Sequence, residues 1–192
     1  MADTDVTSRT VNGVEYPAVG TYAIDPSHTE LGFAVRHMAV SKVRGRFSTF
    51  EGTLELAEKP ADSKVSVTID AGSVDTRDEN RDAHLRTNDF FDAENHPKWT
   101  FVSTSITAED GTDFKVVGDL TIRGVTKSVT LDASLEGVVK DPYGNHRVGF
   151  SASTTINRED FGVAFGAVME AGGLVVAKKV DIQIEAEAVL QA

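Results

Sequence analysis

The chain has 192 residues, no cysteine and a formal net charge of −11. The absence of thiols excludes disulfides, thiolate nucleophiles and cysteine-based zinc or iron–sulfur sites. The acidity works against nucleic acid and anionic membrane surfaces, which attract Lys and Arg.

Residues 1–19 show no periodicity and read as a flexible arm ahead of one domain over 20–192. The start, Met1–Thr10, has neither the basic residues nor the apolar run of a secretory signal. No later segment reaches the roughly 20 apolar residues of a spanning helix. A cytoplasmic protein without stable membrane insertion is expected. Thr21–Ile24 begins the strands, and Asp25-Pro26-Ser27 makes a turn that His28 orders through hydrogen bonds. Leu31, Phe33, Val35 and His37 then share one strand face, with Glu30 and Arg36 on the other. Ala39–Arg46 reads as a basic connection carrying Lys42, Arg44 and Arg46. A strand over Phe47–Leu56 offers Phe47, Phe50 and Leu54 inward, and Val65, Val67 and Ile69 form a third alternating set.

The alternation breaks at the charged stretch Asp75–Leu85, where Thr76 and Glu79 have the spacing of a capping box for a short helix. Its Arg77, Asp78, Glu79, Arg81, Asp82 and Arg86 read as a solvated face, while Leu85, Phe90 and Phe91 could lay a lid on the barrel. Pro97 rules out further helix, and Trp99 reads as core or rim packing. Strands resume over Lys98–Thr107, Phe114–Ile122, Thr126–Val139, Arg147–Ile156 and Lys179–Leu190, with a Gly-rich irregular stretch over Phe161–Val176. Inward candidates there are Phe101; Phe114, Val116 and Leu120; Val129, Leu131 and Leu135; Phe150 and Ile156. A register slip of one residue would exchange the faces.

About eight main strands and one helical insert predict an all-β fold, an extended eight-stranded antiparallel barrel that hides its edges by closing. Thr126–Val139 alone would extend about 45 Å at roughly 3.3 Å per residue, enough to line a tunnel. A packed core is the competing interpretation of the same apolar set. His28, His37, His84, His96 and His146 are dispersed and form no metal motif. No nucleophile elbow, phosphate-binding loop or dinucleotide fingerprint occurs, so no catalytic residue, metal or cofactor is assigned. Arg36, Lys42, Arg44 and Arg46 are head-group candidates, because guanidinium binds phosphate oxygens in pairs. A solvated hairpin loop is the plainer alternative.

Four segments, in order, carry a family resemblance: Tyr22-Ala23-Ile24-Asp25-Pro26-Ser27-His28-Thr29 with Phe33, Val35 and His37; Asn88-Asp89-Phe90-Phe91-Asp92 through Pro97 with Phe101; Gly118–Lys127; and Ile156-Asn157-Arg158-Glu159-Asp160-Phe161-Gly162. The chain thereby resembles the YceI family of bacterial lipocalin-like proteins. The resemblance implies a barrel with a helical insert around an elongated apolar channel that takes polyisoprenoids, isoprenoid quinones or long-chain amides. It implies non-enzymatic binding, transport or storage of such a lipid, and allows a homodimer. A small hydrolase or isomerase holding a lipid substrate in the channel is the alternative.

Overall fold

An alternating strand buries one face and points its backbone donors and acceptors sideways, so a sheet of such strands must protect its edges or close. The computed structural model describes residues 8–11, 13–166 and 175–191. Strands β1 (Ser8–Val11) and β2 (Val14–Pro17) pair only with each other. They are followed by β3 (Gly20–Ile24), β4 (Glu30–His37), β5 (Ser41–Phe47), β6 (Phe50–Leu56), β7 (Lys64–Asp70) and β8 (Val74–Asp75). After helix α1 (Glu79–Arg86) come β9 (Lys98–Ala108), β10 (Asp113–Ile122), β11 (Val125–Lys140), β12 (His146–Asn157) and β13 (Val176–Leu190).

Each of the pairs β3/β4, β5/β6 and β7/β8 is one stave interrupted by a short break. With β9 to β13 they complete a closed antiparallel barrel of 8 staves in up-and-down order. β13 closes it. One edge pairs with β12 from Lys179↔Asn157 to Val189↔Arg147, and the other pairs with β4 and then β3. The hairpin between β10 and β11 turns on Arg123 (φ 51) and Gly124 (φ 75). Two positive φ values give the turn whose twist matches the flanking strands.

Several local expectations change. The described part of the expected arm is the β1–β2 hairpin, docked by Tyr16 edge-on to Phe114 and by Arg9 donating to the Ala57 carbonyl at 2.6 Å. Residues 1–7 and 12 of that arm lie outside the described residues, as do 167–174 of the Gly-rich stretch. The basic connection is strand β5, which pairs with β4 from Leu31↔Phe47 to His37↔Ser41. The helix cap is Asp78, whose side chain accepts from the Arg81 N–H at 3.0 Å. Thr76 is instead buried, donating its N–H and hydroxyl to Asp82 Oδ1 at 2.9 and 2.6 Å and accepting from Arg81 Nε at 2.7 Å. Arg86 donates to the Gly72 and Val74 carbonyls. Part of the supposedly solvated face therefore anchors α1 to the barrel.

At the opposite end of the staves, Arg147 gathers three carboxylates. It lies 2.8 Å from Asp25, 2.7 Å from Asp141 and 2.6 Å from Glu187, joining the β3–β4 break, the β11–β12 turn and β13. Asp25 also accepts from Ser27 N at 3.0 Å and lies 2.9 Å from His28 Nδ1, the turn role expected of His28. The Arg147 hydrogen bonds hold the Asp25 and Asp141 carboxyls well below the usual carboxylate range. Depressed pKa values stabilise the fold fully above the unfolded value of about 3.9, and that stabilisation is lost as pH falls through the lower folded values. Arg147→Gln should lower the melting temperature at pH 7 and flatten its acid dependence below about pH 4. Thermal unfolding across pH 2–7 checks this; an acid limb unchanged in the variant would remove Arg147 as its source.

Candidate functional site

The inner faces of the staves do not meet. They surround a cavity of about 320 Å³ with an almost wholly apolar lining, within the roughly 300–1,000 Å³ range of small-molecule sites. On β9 the wall runs from Trp99 to Ile106, or about 23 Å of strand at 3.3 Å per residue. One end lies under α1 and the loop after it, where Leu85, Phe90 and Phe91 face inward as the lid interpretation expects. The 3-10 turn Arg158–Phe161 joins that end, since Arg123 donates to both the Phe90 and Gly162 carbonyls. The β1–β2 hairpin supplies Arg9, Tyr16 and Pro17 to the other end.

Two glycines help keep the lumen open. Gly45 lies opposite Phe33 across the β4–β5 pair, and a Cβ there would stand 2.4 Å from Phe33 Cζ. A Cβ on Gly118 would stand 2.4 Å from Phe101 Cζ and 2.7 Å from the Val102 carbonyl oxygen. Each ring thus lies against the wall where a larger neighbour would push it inward. Trp99 is buried and packs edge-on to Phe47 and Phe91 at 5.0 and 4.7 Å. Its indole Nε1 has no hydrogen-bond partner among the described residues.

The lining candidates on β4, β5, β7 and β9 to β12, with Leu54 of β6, all lie on this wall, except His37. Phe50 of β6 is the other departure. His37 is the last residue of β4, next to the left-handed Met38 and Ala39 of the hairpin tip, and falls past the rim. Phe50 is buried but opens β6 directly after the Ser48–Thr49 break, where the stave is held to Ser73, and it sits off the wall. None of the four head-group candidates reaches the lumen. On β5, Val43, Gly45 and Phe47 face in, so Lys42, Arg44 and Arg46 face out, and Arg36 is paired beside Lys42. Lys42 binds Asp181 at 2.9 Å, and Arg46 binds Asp75 at 3.2 Å.

Sequence reasoning assigned no role to Arg158. It is buried on the wall, two residues beyond Ile156 in the inward phase of β12, and that i+2 continuation was the available signal. Donor atoms of Asp25, His28 and Glu187 lie within 4.8 Å of one another, as a metal site would require. The Arg147 guanidinium already bonds both carboxylates and supplies the cation there. No Asp, Glu or His side chain of the described residues lines the lumen.

The family model for the YceI-like domain matches residues 22–188. Protein YceI of Escherichia coli is 45% identical over 145 residues, 74% of this chain and 75% of that protein. Among solved structures, BcnA of Burkholderia cenocepacia superposes with a TM-score of 0.75 at 25% identity, over 85% of this chain and 98% of its own. A polyisoprenoid binding domain from Saccharophagus degradans shares the fold, with a TM-score of 0.68 at 16% identity over 88% of this chain and 98% of its own. The expected lipocalin-like barrel is thus the fold observed.

Gly118→Val should drive the Phe101 ring into the lumen and cost about 1–3 kcal/mol by overpacking. Urea unfolding reads the cost, and Nile red fluorescence reads the smaller lumen as weaker dye binding. Undiminished dye binding in the folded variant would contradict the role given to Gly118.

Proposed function

The chain belongs to the YceI-like family, and on that premise we propose that it binds and carries a long-chain apolar amphiphile of the isoprenoid class without chemically altering it. The observation that carries this reading is the lumen itself: a closed barrel around a continuous, apolar cavity flanked by the α1 cap and the β1–β2 hairpin. A chain removing about 300 Å² of apolar surface from water would gain about 7 kcal/mol gross. Ordering the chain and restricting its motion return part of that gain, which leaves dissociation constants in the micromolar range or below. A bare hydrocarbon wall favours many chains almost equally, so the cavity's length and its few polar groups must supply discrimination. The Saccharophagus domain, described as binding polyisoprenoids, is consistent with the isoprenoid class. A wall to which the described residues bring no carboxylate or imidazole favours carriage over turnover.

Native mass spectrometry of the purified protein, paired with organic extraction, should find one chain amphiphile per protein or accept one on addition. Trp99 is the chain's single tryptophan and lies on the wall, so its emission should shift on loading. Phe33→Asp places a carboxylate in the hydrocarbon wall and should weaken binding of a neutral isoprenoid at least tenfold, an effect of about 1.4 kcal/mol or more, with the circular dichroism spectrum retained. An apo mass that no prenyl or acyl chain alters would overturn the carrier reading; turnover of a prenyl or acyl substrate would replace it with the enzymatic one.

A further inference from the structure

The lumen wall carries hydrogen-bond donors that lack acceptors among the described residues. Arg158 is only 6% exposed, yet it carries a charge that arginine retains in proteins. Its guanidinium has five N–H donors. Nη1 donates to the Val163 carbonyl at 2.6 Å, Nε to Ala177 at 2.9 Å and Nη2 to Val176 at 3.2 Å. Among the described residues, each terminal nitrogen therefore keeps one further N–H without an acceptor.

No described carboxylate pairs with this cation. Glu159, next in sequence, binds Lys178 at 2.8 Å, and Asp160 accepts from Asn157 at 3.2 Å. Burial pulls the Arg158 pKa down, and the nearby Glu159 charge, itself paired with Lys178, offsets this only in part. An uncompensated charge against an apolar cavity is costly, and a matching anion relieves the cost. Trp99 adds an independent observation, since its buried Nε1–H faces the same requirement for an acceptor. The cations outside the barrel cannot serve, because strand phase turns Arg36, Lys42, Arg44 and Arg46 away from the lumen. Arg9 lines the hairpin end but is only half-buried and is committed to the Ala57 and Pro17 carbonyls.

We propose that Arg158 receives the head group of the bound chain, and that this head is an oxyanion, a phosphate or carboxylate, lodged at the α1 end of the lumen. The inference rests on the carrier reading and adds an orientation: the head lies under the helical cap and the tail extends toward the β1–β2 hairpin. Guanidinium suits such a head because it presents paired donors to two oxygens. The three carbonyl contacts fix the guanidinium plane before the ligand arrives, so little side-chain entropy is lost on binding.

The test is displacement of Nile red by geranylgeranyl phosphate and by geranylgeraniol, two ligands of equal chain that differ only in the head. The unmodified protein should bind the phosphate about tenfold or more tightly than the alcohol. R158Q should bring the ratio near one while the alcohol still binds, and R158K should retain part of the preference. General loosening of the barrel would weaken both ligands together and leave their ratio intact. Equal affinities in the unmodified protein would overturn the inference and leave the carrier reading standing; binding of neither chain would remove both. A preference lost in R9Q and kept in R158Q would place the head at the hairpin end and equally overturn it. Displacement by inorganic phosphate alone would mark a free-anion site and overturn the lipid assignment. Selective ¹⁵N-arginine labelling of the unmodified protein reads the contact even if R158Q does not fold. The most solvent-protected guanidinium resonance should move with the phosphate ligand and not with the alcohol, and no movement would overturn the assignment.

Discussion

β13 has partners along both edges, and the hollow interior depends on that double pairing. Its register with β12 runs nearly unbroken, while its other edge is divided between β4 and β3. A sheet open at this seam would expose two rows of unpaired peptide groups, a template for association with other chains. Closure removes that liability and also fixes each stave's inner face. Once the register is fixed, alternation decides which side chains reach the lumen and which reach solvent. Arg147 reinforces the seam from outside by tying Glu187 of β13 to the turns carrying Asp25 and Asp141.

A closed barrel of this kind does not have to be hollow, since inward side chains can fill a small one. Here, two rings lie against glycines of the wall instead of filling the middle. Phe33 lies over Gly45 and Phe101 over Gly118, so glycine opposite or diagonal to phenylalanine trades a side chain's volume for open space. Such glycines weaken a strand in isolation, and the neighbouring aromatic ring covers the backbone they expose. The same residues thus preserve sheet packing and empty the centre. Different elements flank the two ends, an α1 cap anchored through Arg81, Arg86 and Arg123 and a hairpin docked through Tyr16 and Arg9.

The long strands were legible because apolar and polar residues alternate along much of their length, and β10 and β11 additionally announce their turn at Gly124. Most of the lumen wall followed from the same phase, as at Phe114, Val116 and Leu120. Failures cluster where alternation stops or charge hides it. β5 was obscured because Lys42, Arg44 and Arg46 occupy its outer positions while Gly45 contributes no apolar signal inside. Phe50 was misplaced because it is the first residue of β6, beside the Ser48–Thr49 break, where strand phase alone does not fix what a side chain reaches. Thr76 has the spacing of a cap, but its partner is the buried Asp82 six residues on, and the cap falls to Asp78. The β1–β2 hairpin lacked apolar periodicity because its hold on the barrel comes from one tyrosine ring and one guanidinium.

The contrast between the surface cations and Arg158 follows from where regular alternation ends. Along β5 a basic residue at an even position has its neighbours' inward side chains on either side and no route around the sheet. Arg158 stands one residue beyond β12, in the phase of Phe150 and Ile156, where the backbone has already turned into the 3-10 segment. There the chain supplies carbonyl acceptors from the start of β13 and from Val163, which hold the guanidinium without neutralising it. Hydrogen bonds to neutral carbonyls satisfy geometry but leave the net charge in place. That combination, a cation held in orientation and left without a described counterion, distinguishes the α1 end from the hairpin end, where Arg9 is half-buried and bonded to the Ala57 and Pro17 carbonyls.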